Sequence, residues 1–251
     1  MEYILPDLNL LEVKSTIEAD GKTGTFEIEP LSPGYGVTLG NTLRRILLSS
    51  LEGYSIKSVK IEGADHEYST LKGMKEDVVE LILNLKMARF KLNDIDEAKL
   101  ALSVKGPKVV TTDDFTKNSD VESVTQGHYL CTLEKGGKLD LVIEIDKGRG
   151  YVPVERRTEE KAPIGTIVID SIYTPVKKVR FEVENARVGG MTNYNKLSME
   201  ISTDGSISPQ AALNTASRIM SEHLSVIEEA TSKVEPAKEK KAKATKKSAK
   251  K

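Results

Sequence analysis

The sequence predicts an α+β protein built on antiparallel sheet. Apolar and polar residues alternate in short runs along the whole chain, the period of a half-buried strand. The runs end at Asp-Gly, Gly-Pro or Gly-Gly steps, so neighbouring strands pair as hairpins or meanders. Helical spacing appears in a few stretches: after the glycines at 34 to 40, from Met74 to Met87, and from Ser208 to Ala230.

Residues 1 to 10 carry no pattern. Leu11, Val13, Ser15 and Ile17 alternate, Asp20-Gly21 turns, and Thr25 to Glu29 alternates again, an antiparallel pair that Pro30 ends. Gly34, Gly36 and Gly40 permit a tight loop, and Thr38 is a candidate N-cap. Leu39, Leu43, Ile46, Leu47 and Ser50 then share one helix face, while Arg44, Arg45 and Leu48 fall on others. Two guanidiniums beside a leucine suit docking to a partner's carboxylates or backbone; the plainer reading is a core helix with two solvated arginines.

Ile56, Val59 and Ile61 read as a strand. His66-Glu67-Tyr68-Ser69-Thr70 reads as a loop, either a surface turn or a partner contact. The helix from Met74 to Met87 has Glu76 and Asp77 in its first turn and Lys86 in its last, as the helix dipole favours. Val78, Val79, Ile82 and Leu85 give it an apolar side. Strands follow around Leu100 to Val104, Tyr129 to Leu133, Leu139 to Ile145 and Thr166 to Asp170, with a turn at Thr112-Asp113-Asp114. Lys177 to Arg187 and Leu197 to Ile201 alternate on either side of Gly189-Gly190 and a polar loop. Ser208-Pro209 opens the last helix, with Ser as cap and Pro at the first helical position. Its stripe runs through Ala212, Leu213, Ala216, Ile219, Met220, His223, Leu224 and Ile227.

Several function classes are excluded or weakened. Gly34, Gly36 and Gly40, with Glu62 further on, faintly resemble a dinucleotide fingerprint, but the last spacing is wrong and the strands ahead form a hairpin. No phosphate loop, Asp-rich metal triad or nucleophile with a base is present, and no cofactor is expected. His66, His128 and His223 are scattered, and the single cysteine, Cys131, makes no zinc pattern and no internal disulfide. A reducing cytoplasm is the expected setting, with no signal peptide and no membrane span. The net charge of -1 hides an asymmetry. Residues 236–251 hold eight lysines and one glutamate, +7, which leaves -8 for the rest. That tail is expected to be disordered and is a candidate for sequence-independent contact with a DNA backbone.

Pro30-Leu31, the run from Gly34 to Ser50, His66 to Thr70, Glu76-Asp77 with Leu83-Asn84-Leu85-Lys86, Gly148 to Pro153 and Pro163-Ile164-Gly165 together resemble the N-terminal part of the bacterial RNA polymerase alpha subunit. The likeness spans roughly residues 10 to 230. It implies a discontinuous dimerisation domain, 1–52 with 176–235, made of an antiparallel sheet and two helices. It implies an inserted, mostly-β second domain at 53–175. The implied role is a homodimeric, non-catalytic scaffold that recruits the beta and then the beta-prime subunit, joined by omega and sigma in the holoenzyme. By resemblance, Arg45 and Leu48 would dock beta, with His66, Glu67 and Tyr68 close to the same face. Lys86 and Ile169 would face beta-prime. Leu39, Leu43, Ile46, Leu47, Leu213, Met220, Leu224 and Ile227 would build the dimer. The family usually continues into a small helical DNA- and activator-binding domain, which is not expected in this sequence. Two rival readings are a stand-alone nucleotide-binding protein and a dimeric adaptor outside polymerase.

Overall fold

The computed structural model describes residues 11–93, 95–157, 163, 165–188 and 191–232. The lysine-rich stretch 236–251 lies outside them. The described strands and helices are β1 (Glu12–Ile17), β2 (Thr23–Leu31), α1 (Tyr35–Ser49), β3 (Glu52–Ile61), α2 (Val78–Met87), β4 (Phe90–Leu92), β5 (Glu97–Lys105), β6 (Lys108–Thr111), β7 (Val121–Ser123), β8 (Tyr129–Leu133), β9 (Lys138–Arg149), β10 (Tyr151–Val152), β11 (Thr166–Val168), β12 (Ser171–Ile172), β13 (Val176–Val188), β14 (Met191–Thr203) and α3 (Pro209–Ser232). The class is α+β, as the alternation predicts.

Two sheets of four strands organise the chain. The first has the order β1-β2-β14-β13, so its strands come from both ends of the described chain. All its pairings are antiparallel. Alternation decides its two faces. Phe26, Leu197, Met199 and Ile201 point to one side, where they meet Leu43 and Leu47 of α1 and Ala212 and Ala216 of α3 in one core. The opposite face is charged and wet: Lys14 bonds Glu29 at 3.2 Å and Lys178 bonds Glu200 at 3.1 Å across strands.

The glycines ahead of the first helix act differently from the expected loop. Gly34, at φ 87°, is the N-cap, and α1 starts at Tyr35. Gly36 and Gly40 therefore lie inside the helix, four apart on its buried face. A Cβ on Gly40 would come within 2.6 Å of the Phe181 ring, and one on Gly36 within 2.7 Å of Val183. They let α1 lie close on β13, and that close approach is what these glycines serve. Thr38 sits in the first turn, its hydroxyl donating to the Gly34 carbonyl at 3.3 Å, so it is not the cap.

The second sheet has the order β11-β3-β9-β5. One side packs under α2 and the small pairs β4-β7 and β6-β8, burying Val59, Leu81, Leu85, Leu102, Leu130 and Ile143 in a separate core. The helix α2 starts later than its sequence suggests. Asp77 caps it, accepting from the Glu80 N–H at 2.7 Å. Glu76 is outside the helix and accepts from the Thr132 N–H at 2.7 Å, which ties the approach to α2 onto β8. For α3 the sequence signal is followed closely: Ser208 Oγ accepts from the Ala211 N–H at 3.2 Å, and Pro209 opens the helix.

Candidate assembly surfaces

The helix α1 places its six singled-out residues in three different settings. Leu43 and Leu47 are 6% and 0% exposed, inside the first unit's own core. Their own chain already covers them, so the expected contact between two copies would reach them only from behind Leu39 and Ile46. Leu39 and Ile46 pack at the rim of that core, half-buried. Arg45 and Leu48 face outward, Leu48 at 38% exposure. Arg44 is exposed beside them. The Leu48 carbonyl accepts from the Thr174 hydroxyl at 3.3 Å, which pins the helix end to the segment returning from the second unit.

The helix α3 divides along its length. Leu213 and Met220 are half-buried against the core. From Ser221 onward every residue is exposed, and Leu224, Val226 and Ile227 reach 55%, 65% and 59%. Among the described residues no element covers this half. The edge strand β1 repeats the condition. Val13 and Ile17 pair with Ile28 and Gly24, so they share the apolar face of the sheet, yet they are 57% and 44% exposed.

On the second unit, a groove of about 380 Å³ lies between α2, the 66–70 loop and β11 with the residues after it. Glu67 and Tyr68 stand on one side, Leu83 and Lys86 on another, and Ile167 to Asp170 form the floor. Lys86 Nζ lies 3.0 Å from Asp170 Oδ2, and the Val154 N–H donates to Oδ1 at 3.0 Å. The bond from Lys86, then that from Val154, holds the Asp170 carboxyl below the usual carboxylate range. Within the loop, the Ser69 N–H donates to the His66 carbonyl at 3.1 Å, and Tyr68 projects with 79% exposure.

The groove thus brings Glu67 and Tyr68 together with Lys86, although the resemblance assigned them to different partners. Its lining includes neither Arg45 nor Leu48. Ile169 lines the groove mainly through its backbone. Its side chain is 2% exposed, buried in the second core, and only the segment carrying it reaches the groove. Sequence reading also missed Leu83 and Met87, exposed at 54% and 61% on α2. The signal was present: Val79, Leu83 and Met87 recur at four-residue spacing as a second apolar stripe beside the buried one.

A polar network closes the second unit where the chain leaves it. The Tyr173 hydroxyl donates to Asp146 at 2.6 Å, and Arg157 bonds both residues with its guanidinium 5.7 Å above the Tyr173 ring. Burial, then the Asp146 bond, pushes the Tyr173 hydroxyl up to about 12, and burial raises Asp146. Burial likewise pushes the Cys131 thiol up to about 12, so the single cysteine is a core residue with little thiolate character. Among the described residues no group of three or more His, Cys, Asp or Glu could hold a metal. No described helix is long and apolar enough to cross a membrane.

Residues 59–174 match the family model described as the RNA polymerase Rpb3/RpoA insert domain. A DNA-directed RNA polymerase subunit alpha from Alkaliphilus metalliredigens (strain QYMF) is 46% identical over 226 residues, covering 90% of this chain and 70% of that protein. With that identity over most of both chains, the chain belongs to the bacterial RNA polymerase alpha-subunit family.

Proposed function

We propose that the chain is a homodimeric scaffold on which the beta and beta-prime subunits of RNA polymerase assemble, and that it takes no part in the chemistry of nucleotidyl transfer. In this reading the first unit is the dimerisation domain and the second is an insert carrying docking surface. The observation that carries it is the second half of α3, where Leu224, Val226 and Ile227 are left open by the described residues. A second copy is the fitting cover, because Val13 and Ile17 of β1, in the same unit, are apolar and open as well. Leu39, Ile46, Leu213, Met220, Leu224 and Ile227 remain as dimer contacts. Leu43 and Leu47 support them from behind.

Arg45 and Leu48 are the proposed contacts to beta, while the groove holding Tyr68 and Lys86 is the proposed contact to a large subunit. An exposed arginine beside an exposed leucine has the composition of an interface hot spot and adds little to the fold. Arg45→Ala should therefore change stability by less than ~0.5 kcal/mol. It should weaken capture of beta by ~2 kcal/mol or more, with the dimer intact. Quantitative pull-down of purified beta by wild type and variant decides; equal capture rejects the docking role.

A further inference from the structure

The two units are joined covalently twice, near Glu52 and near Thr174. The crossings are adjacent: a Cβ on Gly53 would lie 1.8 Å from the Tyr173 carbonyl oxygen. Two neighbouring crossings leave room for a hinge that contacts between the units must restrain. Gly205 lies against Val124, and an ion pair also spans the units.

Arg89 follows the end of α2 in the second unit. Its Nε lies 3.5 Å from Asp204 Oδ2, in the turn between β14 and α3 of the first unit, and the two side chains are 12% and 5% exposed. The same guanidinium donates through Nη1 to the Lys86 carbonyl at 2.8 Å, where a helix C-terminus favours a cation. The Arg89 N–H donates to Thr125 Oγ1 at 2.7 Å. Asp204 is held as firmly. Its Oδ1 accepts from the Ser206 N–H at 2.9 Å and hydroxyl at 2.6 Å, and its own N–H donates to the Pro175 carbonyl at 2.9 Å. Both ends are thus fixed to rigid elements, and the pair is an ionic link between them. A buried ion pair costs desolvation and is a weak source of net stability. Setting one geometry between α2 and α3 is a role that fits this cost.

We propose that Arg89 and Asp204 clamp the angle between the two units, so that the groove beside Lys86 and the dimer helix α3 are presented in one fixed relation. Arg89 is a positioning residue here. Its link to assembly rests on the function proposed above; the clamp itself does not.

The test uses the full-length dimer. Arg89→Met combined with Asp204→Asn removes both charges together, which avoids stranding one of them buried. Asp204→Asn alone, which keeps the shape and a partner for Ser206, serves if the double variant does not fold. Spin labels on Val109→Cys and Thr16→Cys, in a Cys131→Ala background diluted into excess unlabelled chain, report the distance between units. The expected result is a broadened distance distribution at unchanged dimer mass and circular dichroism. Capture of the large subunits should weaken about tenfold if only about a tenth of the molecules keep the docking angle. A folded variant with the wild-type distribution overturns the clamp. Broadened distances with undiminished capture overturn its role in assembly. Failure of the wild-type chain itself to capture the large subunits would instead refute the assembly reading, and the distances would still judge the clamp.

Discussion

The two units solve the same packing problem to different degrees. In the second, α2 and the small strand pairs cover the inner side of the sheet, and Val59, Leu81, Leu85, Leu130 and Ile143 are fully buried. In the first, α1 and part of α3 cover the sheet only in part. Val13, Ile17, Leu224 and Ile227 belong to apolar surfaces there and stay open. The second unit closes a core of its own and leaves Leu83 and Met87 of α2 open, whereas the first has the shape of half a core. What remains apolar and uncovered after a chain has folded is the best guide to what a second copy covers.

The sharpest way to break this comparison is to damage each core at its centre. Leu47→Ala in the first unit and Leu85→Ala in the second both remove a fully buried side chain. Each should cost about 2–5 kcal/mol in chemical denaturation. If α3 is held partly by a second copy, the Leu47→Ala loss should also depend on protein concentration, and the Leu85→Ala loss should not. Equal concentration dependence would blur the distinction.

A smaller effect is expected at Gly40. On an exposed helix position, alanine would gain about 1 kcal/mol over glycine. Here a Cβ meets the Phe181 ring at 2.6 Å, so Gly40→Ala should instead destabilise by about 1–3 kcal/mol. A thermal melt showing stabilisation would mean that α1 does not lie so close on β13.

The smallest effect concerns the groove. The Asp170 carboxyl is depressed in the folded chain by Lys86 and the Val154 N–H. Its contribution is therefore present above the unfolded value of about 3.9 and is lost as pH falls through the folded value. The pair is partly exposed, so the loss should stay below about 1 kcal/mol. Urea midpoints for wild type and Asp170→Asn should differ near neutral pH and converge in acid. A constant difference would show that the charge is not what Lys86 recognises.

Much of this was legible in the sequence, for physical reasons. Alternation in β1, β2, β5, β9, β13 and β14 is strong because one face of each sheet is buried and the other wet. Ser208-Pro209 marks the start of α3 because cap chemistry is local. The short strands β4, β7, β10 and β12 were not legible, since two or three residues carry no period. The glycines of α1 misled because a glycine ahead of a helix and a glycine on its contact face look alike in one dimension. Leu43 and Leu47 shared the helix face of Leu39 and Ile46, and only the packing of β13 and β14 separates core from rim. Ile169 and Arg89 illustrate the same limit: burial of the first and the ion pair of the second depend on residues distant in sequence.

The dimer requires that the open half of α3 be closed by a second copy. The decisive measurement is the mass in solution of the chain and of a Leu224→Asp, Ile227→Asp variant, by sedimentation equilibrium at micromolar concentration. The expected result is a wild-type dimer and a folded, monomeric variant with wild-type circular dichroism, since these side chains are exposed in the single chain and a carboxylate there harms only the contact. A variant that stays dimeric, or a wild-type chain that is monomeric, would contradict it.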